Sequence, residues 1–462
     1  MRKYVPVLMA VGLSGCAALT TEPYERPPLA APAAWLGQTP EATSNWPERE
    51  WWKAFGSAEL ETLIGNAQAN NYDLRAAAVR VAQARANSRI VGAALWPNLT
   101  ATADAARNTP SAGTAGNSFA IGAQASYEVD IWGRNRSAAM AADLAVASSE
   151  YGREVVRLAL TADVASTYFL LLSLNDAIRV AEDNLANARR LLDLVQTQRG
   201  AGRGSALEVE RQQTLVASAA AAIPPLQQRR EVGLNALALL LGRHATNVKL
   251  EGASLRTMTP PPAALGVPSK LTERRPDIRR AEADLRSAHA NITAARAALF
   301  PSLILGAQGG FASATVGTLF NSGKGFSVLG LGLIATIFDG GRLAGQVDFA
   351  EARKAELVET YLQTVLIAFQ EVEDALAGIR YFAVQEQAQQ QAVDHAREAY
   401  RLAEIRYRGG AVDFTTVLDA QRTLLAAESA VDQTRFSRFA SLVALYRALG
   451  GGWQEDARRA AR

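Results

Sequence analysis

The sequence predicts a mainly α-helical chain with a transmembrane β-barrel portion, built from a helix–β-hairpin–helix unit that occurs twice. Three observations carry this. Motifs recur about 200 residues apart: Trp96-Pro97-Asn98-Leu99 is echoed by Phe300-Pro301-Ser302-Leu303, Arg199-Gly200 by Arg408-Gly409, and Thr214-Leu215 by Thr423-Leu424. Two stretches, 134–199 and 342–408, contain no proline, whereas ordinary helices average about 11–12 residues. Four short segments alternate apolar with polar residues, the two-residue period of a strand with one apolar face. A unit this long is no solenoid repeat and fits a duplicated domain.

The N-terminus, residues 1–15, reads as an export signal. Arg2 and Lys3 precede an apolar core from Val5 to Leu13 that is too short to span a bilayer. It ends in Leu13-Ser14-Gly15-Cys16, which resembles a bacterial lipobox and makes Cys16 a lipidation site. Ala17 after it favours the outer over the inner membrane. Cys16 is the only cysteine, so the chain has no disulfide to form. Hydrophobic residues make up 49% but aromatics only 7%, because alanine supplies much of the apolar count. That composition favours long, closely packed helices. The net charge of +3, with arginines interleaved among acids, excludes a nucleic-acid surface.

Residues 16–56 are rich in Pro and Trp and read as an extended lipidated arm. The first repeat, 57–242, opens with a helix over 57–95, capped by Ser57 and stopped by Pro97. Its hairpin, about 98–130, alternates Leu99, Ala101, Ala103 and Ala105 with Asn98, Thr100, Thr102 and Asp104. A loop from Arg107 to Ser118 leads to a second strand with Phe119, Ile121 and Tyr127 on one face. The second hairpin, about 302–338, repeats the pattern with Leu303, Leu305 and Phe311, then with Leu329 through Ile337. Pro97 and Pro301 turn helix into strand. Gly133, Gly340 and Gly341 permit the return bend, and Asp130 and Asp339 are placed to cap the long helices that follow. These are fold roles. Pro224-Pro225 should break the helix over 205–242 in two. The equatorial linker, 243–275, with Pro260-Pro261-Pro262, is expected on the outside. The second repeat spans 276–450, and 451–462 is a C-terminal tail. Among the remaining segments, none is apolar without interruption over 18 residues, so any membrane span is made of strands.

These features together resemble the outer-membrane efflux, TolC-like family in its lipoprotein branch. The resemblance rests on Cys16, on Leu95-Trp96-Pro97 and Leu299-Phe300-Pro301, and on Asp130-Ile131-Trp132-Gly133-Arg134 and Phe338-Asp339-Gly340-Gly341-Arg342. Val417-Leu418-Asp419-Ala420-Gln421 completes it. It implies a homotrimer whose copies close one 12-stranded outer-membrane β-barrel, continuous with a long periplasmic α-helical barrel. It further implies a passive, lipid-anchored exit duct for drugs or other small toxic compounds. A proton-driven inner-membrane pump and a periplasmic adaptor would deliver them, and there would be no cofactor beyond the lipid on Cys16. The closed end would lie at the turns Gly200 to Ser205 and Gly409 to Asp413. There Asp419 would face the pore and Tyr407 would bond Glu208, with Glu210 counted among the residues of the same aperture. The same acids are also what a helix dipole favours in a first turn.

No catalytic constellation appears. His244, His289 and His395 are isolated, and Gly200-Ala201-Gly202-Arg203-Gly204 follows a helix rather than a strand, which fails the phosphate-loop context. The reading is therefore not an enzyme. A channel for type I protein secretion, and a periplasmic coiled-coil lipoprotein without a pore, are the alternatives.

Overall fold

The computed structural model describes residues 23–28, 31–36, 46–109, 111, 115–251, 254–263 and 265–454. The signal segment, Cys16 and most of the C-terminal tail lie outside them. The chain divides into two compact units, one containing residues 78–152 and 277–364, the other 46–77, 153–276 and the residues from 365 on.

The first unit carries the strands β1 (Asn98–Asn108), β2 (Gly116–Val129), β3 (Ser302–Ser313) and β4 (Gly325–Ile334). They form one antiparallel sheet in the order β1-β2-β3-β4. The repeats meet at β2 and β3, with Val129 opposite Leu303. Every register pairs odd residues with odd, so Leu99, Ile121, Tyr127, Leu305 and Leu331 share one face, and Thr100, Gln124, Gln308 and Gly332 the other. At this seam a Cβ on Gly310 would strike the Ile121 carbonyl, and one on Gly122 the Gly309 carbonyl, so the close approach of the strands requires glycine there. The first loop is shorter than the run of Gly, Asn and Ser suggested. The fourth strand ends at Ile334, three residues before the alternation in the sequence stops.

Two long helices follow the hairpins: α3 (Arg134–Gly200) and α7 (Arg342–Arg408), each of 67 residues. Asp130 accepts from the Asn135 and Arg136 amides at 3.0 and 2.9 Å. Asp339 accepts from Gly341 and Leu343 at 3.1 and 3.0 Å. Gly133, Gly340 and Gly341 all have positive φ, the backbone that a side chain would resist. The Trp132 indole N–H donates to the Pro301 carbonyl at 2.7 Å. Helix α6 (Pro276–Ala297), which follows the single turn α5 (Leu271–Arg274), packs in this unit through small residues such as Ala283, Ala288 and Ala290. Arg26 of the N-terminal arm clasps Glu282 on α6 with two bonds of 2.9 and 2.8 Å.

The second unit has an aromatic core. Phe55, Phe169, Phe439 and Tyr446 are buried with Trp51, whose ring stacks on Tyr446 at 4.9 Å. Here the helix expected over 57–95 is two helices, α1 (Ala58–Asn70) and α2 (Tyr72–Gly92). Asn71 divides them in an extended conformation. Its side-chain oxygen accepts from the Leu74 amide, and its side-chain amide donates to the Leu240 carbonyl. A local side-chain bond here outcompetes helix continuation. The reverse holds at Pro224-Pro225, where α4 (Ala206–Leu240) runs through unbroken. The carbonyls that the two prolines leave free belong to the half-buried Ala220 and the exposed Ala221, which water can satisfy. The alanine-rich flanks favour the helix on both sides.

The linker is less external than its prolines suggested. Leu255, Leu265 and Leu271 are buried. Asp176 on α3, 1% exposed, accepts from Ser254 Oγ at 2.6 Å and the Leu255 amide at 2.8 Å. The last helix, α8 (Phe414–Ala448), leads to Gly450-Gly451-Gly452, all of positive φ. A side chain on Gly451 would run into Leu158. One window of α3 is apolar enough to cross a membrane. Its Leu160, Val164, Phe169, Leu171 and Leu172 are core residues of this unit.

Candidate functional site

Each pair of long helices is closed by a turn of the same construction. After α3, the Arg203 amide returns to the Gln198 carbonyl at 2.9 Å; after α7, the Ala411 amide returns to the Arg406 carbonyl at 2.9 Å. Both wraps need a left-handed residue, supplied by Gly202 and Gly410. The outgoing helices are capped alike. Ser205 accepts from the Glu208 amide while Glu208 accepts from the Ser205 amide, a closed capping box. Asp413 accepts from the Thr416 amide at 2.9 Å and the Thr416 hydroxyl at 2.6 Å. These bonds hold the Asp413 carboxyl below the usual range.

Beneath the turns lies an apolar cluster of Leu191, Val195, Val209, Tyr407, Phe414 and Val417, with Val412 packed against it. Tyr407 and Phe414 meet with ring centroids 5.4 Å apart. The expected bond from Tyr407 to Glu208 is absent. Glu208 spends its carboxylate on the Ser205 cap, and the Tyr407 hydroxyl is buried with no hydrogen-bond partner among the described residues. Burial first, and the nearby Glu208 charge second, push the Tyr407 phenol up to about 12. Asp419 and Glu210 stand exposed in the second turns of α8 and α4, one turn beyond the first-turn place expected of them; of the three acids only Glu208 lies in a first turn. Two buried glutamines sit at matching places in the repeats: Gln421, which the sequence reading named only as part of a motif, and Gln212, which it passed over. Gln212 donates to the Ala188 carbonyl at 2.7 Å, and Gln421 to Asn184 Oδ1 at 3.2 Å. Their signal was available: each lies two residues before Thr214 or Thr423 and shares their repeat offset.

A chain that carries a sheet with one apolar face and two free edges, together with helix pairs closed by matched turns, has the parts of an outer-membrane channel subunit. The sequence profile described as outer membrane efflux protein matches residues 63–243 and 267–451. The chain is 39% identical, over its whole length and 99% of the relative, to the pyoverdine export outer membrane protein OpmQ of Pseudomonas aeruginosa. It is 35% identical, over 96% of its length and 94% of the relative, to the toluene efflux pump outer membrane protein TtgC of Pseudomonas putida. The solved outer-membrane channel OprN superposes with a TM-score of 0.89 at 28% identity, covering 95% of this chain and all of that one. The chain belongs to the outer membrane efflux protein family and is an outer-membrane efflux channel.

Proposed function

We propose that three copies of this chain assemble into a passive exit duct for small toxic or amphiphilic compounds, lipid-anchored through Cys16. A periplasmic adaptor and a proton-driven inner-membrane pump deliver the cargo at the turns 200–205 and 409–413, and the duct itself performs no chemistry. The observation that carries this reading is the sheet. Four strands with two free edges and apolar residues exposed on one face cannot close a pore, and bilayer hydrocarbon does not tolerate open edges. Copies must supply the missing strands. The names of the relatives, pyoverdine export and toluene efflux, support small molecules over secreted protein as cargo.

The test is planar-bilayer conductance of the full-length protein in detergent, with oligomer mass measured in parallel. Discrete conductance from a three-copy particle is the expected result. A particle of one or two copies without conductance overturns the reading and leaves a lipid-anchored coiled coil. Mass spectrometry of the mature N-terminus tests the lipid on Cys16, and an unmodified or absent Cys16 refutes that part.

A further inference from the structure

The two hairpins are copies, and their registers show how they correspond. β3 repeats β1 at an offset of 204, with Ser302 answering to Asn98. Asn98 pairs with Ser126 and Ser302 with Ile334, so β4 repeats β2 at an offset of 208. Within the chain, β2 pairs with β3 from Phe119 opposite Ser313 to Val129 opposite Leu303. Counting on past the ladder brings Trp132 opposite Phe300, and there the rings stack at 4.9 Å. The other two edges lack this partner. Trp96, the counterpart of Phe300, is 74% exposed, and Phe338 beyond β4 is 89% exposed. The strand ends tell the same story. β2 runs to Val129, whose counterpart is Ile337, yet β4 stops at Ile334 on its free edge.

We infer that β4 of one copy pairs antiparallel with β1 of the next in the register that the β2–β3 seam dictates: Asn98 opposite Phe338, Thr102 opposite Ile334 and Asn108 opposite Val328, with Trp96 of the neighbouring copy packed beside Phe338. The inference rests on the trimeric reading above and adds the register and the aromatic contact. The pairing keeps apolar residues on one face, Leu99 opposite Ile337 and Ala103 opposite Leu333, and places Thr100 opposite Thr336 on the other. A slip of one residue would set Leu331 and Leu333 against Asp104 and Thr102 and break the alternation. Gly340 holds the place of Trp132 at this outer junction, so the neighbour's indole has room where the inner junction has a ring. Phe338 lies on the diagonal from it, within the reach of aromatic side chains across a strand pair.

The experiment uses Thr102→Cys combined with Ile334→Cys in the full-length chain. Register controls pair Ile334→Cys with Thr100→Cys or with Asp104→Cys. Within one copy the two edges bound opposite sides of the sheet, so a disulfide forms only between copies. Oxidation should convert the first pair to covalent dimers and trimers on denaturing gels, and the controls should lose that ladder. An oligomeric particle in which a control pair crosslinks as well or better, or in which the first pair does not crosslink, overturns the register alone. A single-copy mass overturns the trimeric reading and the register together. Trp96→Ala should lower the temperature at which the detergent-resistant oligomer dissociates, and Trp96→Phe should restore it. An unchanged temperature for Trp96→Ala removes the aromatic contact.

Discussion

Tyr407 buries a hydroxyl that no described residue takes up, and its neighbours are apolar. An unsatisfied buried polar group costs about 1–3 kcal/mol. Tyr407→Phe should therefore leave the melting temperature unchanged or raise it, and a clear fall would reveal a partner for the hydroxyl. The site is held by packing. Phe414, 2% exposed, should cost about 3–5 kcal/mol on truncation to Ala, read as a fall in melting temperature together with a more open channel. The phenols also set an alkaline limit. Tyr168 and Tyr407 are both raised from 10.0 to about 12, chiefly by burial. Their folded state holds protons that the unfolded state releases, so their contribution is full below pH 10 and is lost as pH rises towards 12. Tyr168→Phe should flatten stability over that window, measured by thermal melts across pH. Asp176 is the opposite kind of residue. It takes up Ser254 and Leu255 in the interior and the half-exposed Arg179 at its rim, and Asp176→Ala should cost about 1–3 kcal/mol by stranding the Ser254 and Leu255 donors.

At the scale of elements, the outcome at each proline or glycine depended on what the backbone met. Pro97 and Pro301 end their helices, while Pro224-Pro225 sit inside α4. Proline in a helix interior costs about 3 kcal/mol relative to alanine. Pro225→Ala should thus stabilise α4 by a sizeable part of that, seen as a higher melting temperature with unchanged helical content. The Ser205 capping box makes the complementary case. Ser205→Ala removes one of its two bonds and should lower stability by about 1 kcal/mol, with hydrogen exchange rising first in the opening turn of α4. At the β2–β3 seam, Gly310→Ala has no room for its methyl beside the Ile121 carbonyl. It should abolish the heat-modifiable gel shift of a folded barrel.

For the whole molecule, much is legible in the amino-acid order itself. The long helices lay within a residue of their observed limits, because proline-free, alanine-rich sequence has no competitor for the helix over such lengths. The strands showed through strict alternation, which only a sheet with one apolar face requires. The repeat announced the matched turns. The break at Asn71, the continuity through Pro224-Pro225 and the buried linker were not legible. The first joins a local cap to a contact distant in sequence, Asn71 with Leu240, and the last rests on another, Asp176 with Ser254 and Leu255; the second depends on whether the carbonyls of Ala220 and Ala221 face solvent, which only the folded helix decides. Phe439 likewise finds Phe55 and Phe169 only through folding.

The sequence by itself therefore determined the class of the protein: a duplicated chain with four membrane-type strands and two very long helix pairs. Local periodicity and composition dictate those elements wherever they sit. Tertiary structure alone decided which partners the side chains chose. It gave Glu208 to the Ser205 cap and left Tyr407 to an apolar cluster. It stacked Trp132 on Phe300 and left Trp96 and Phe338 exposed at the sheet edges. Those choices are competitions between groups hundreds of residues apart, and only the folded backbone brings the competitors within reach.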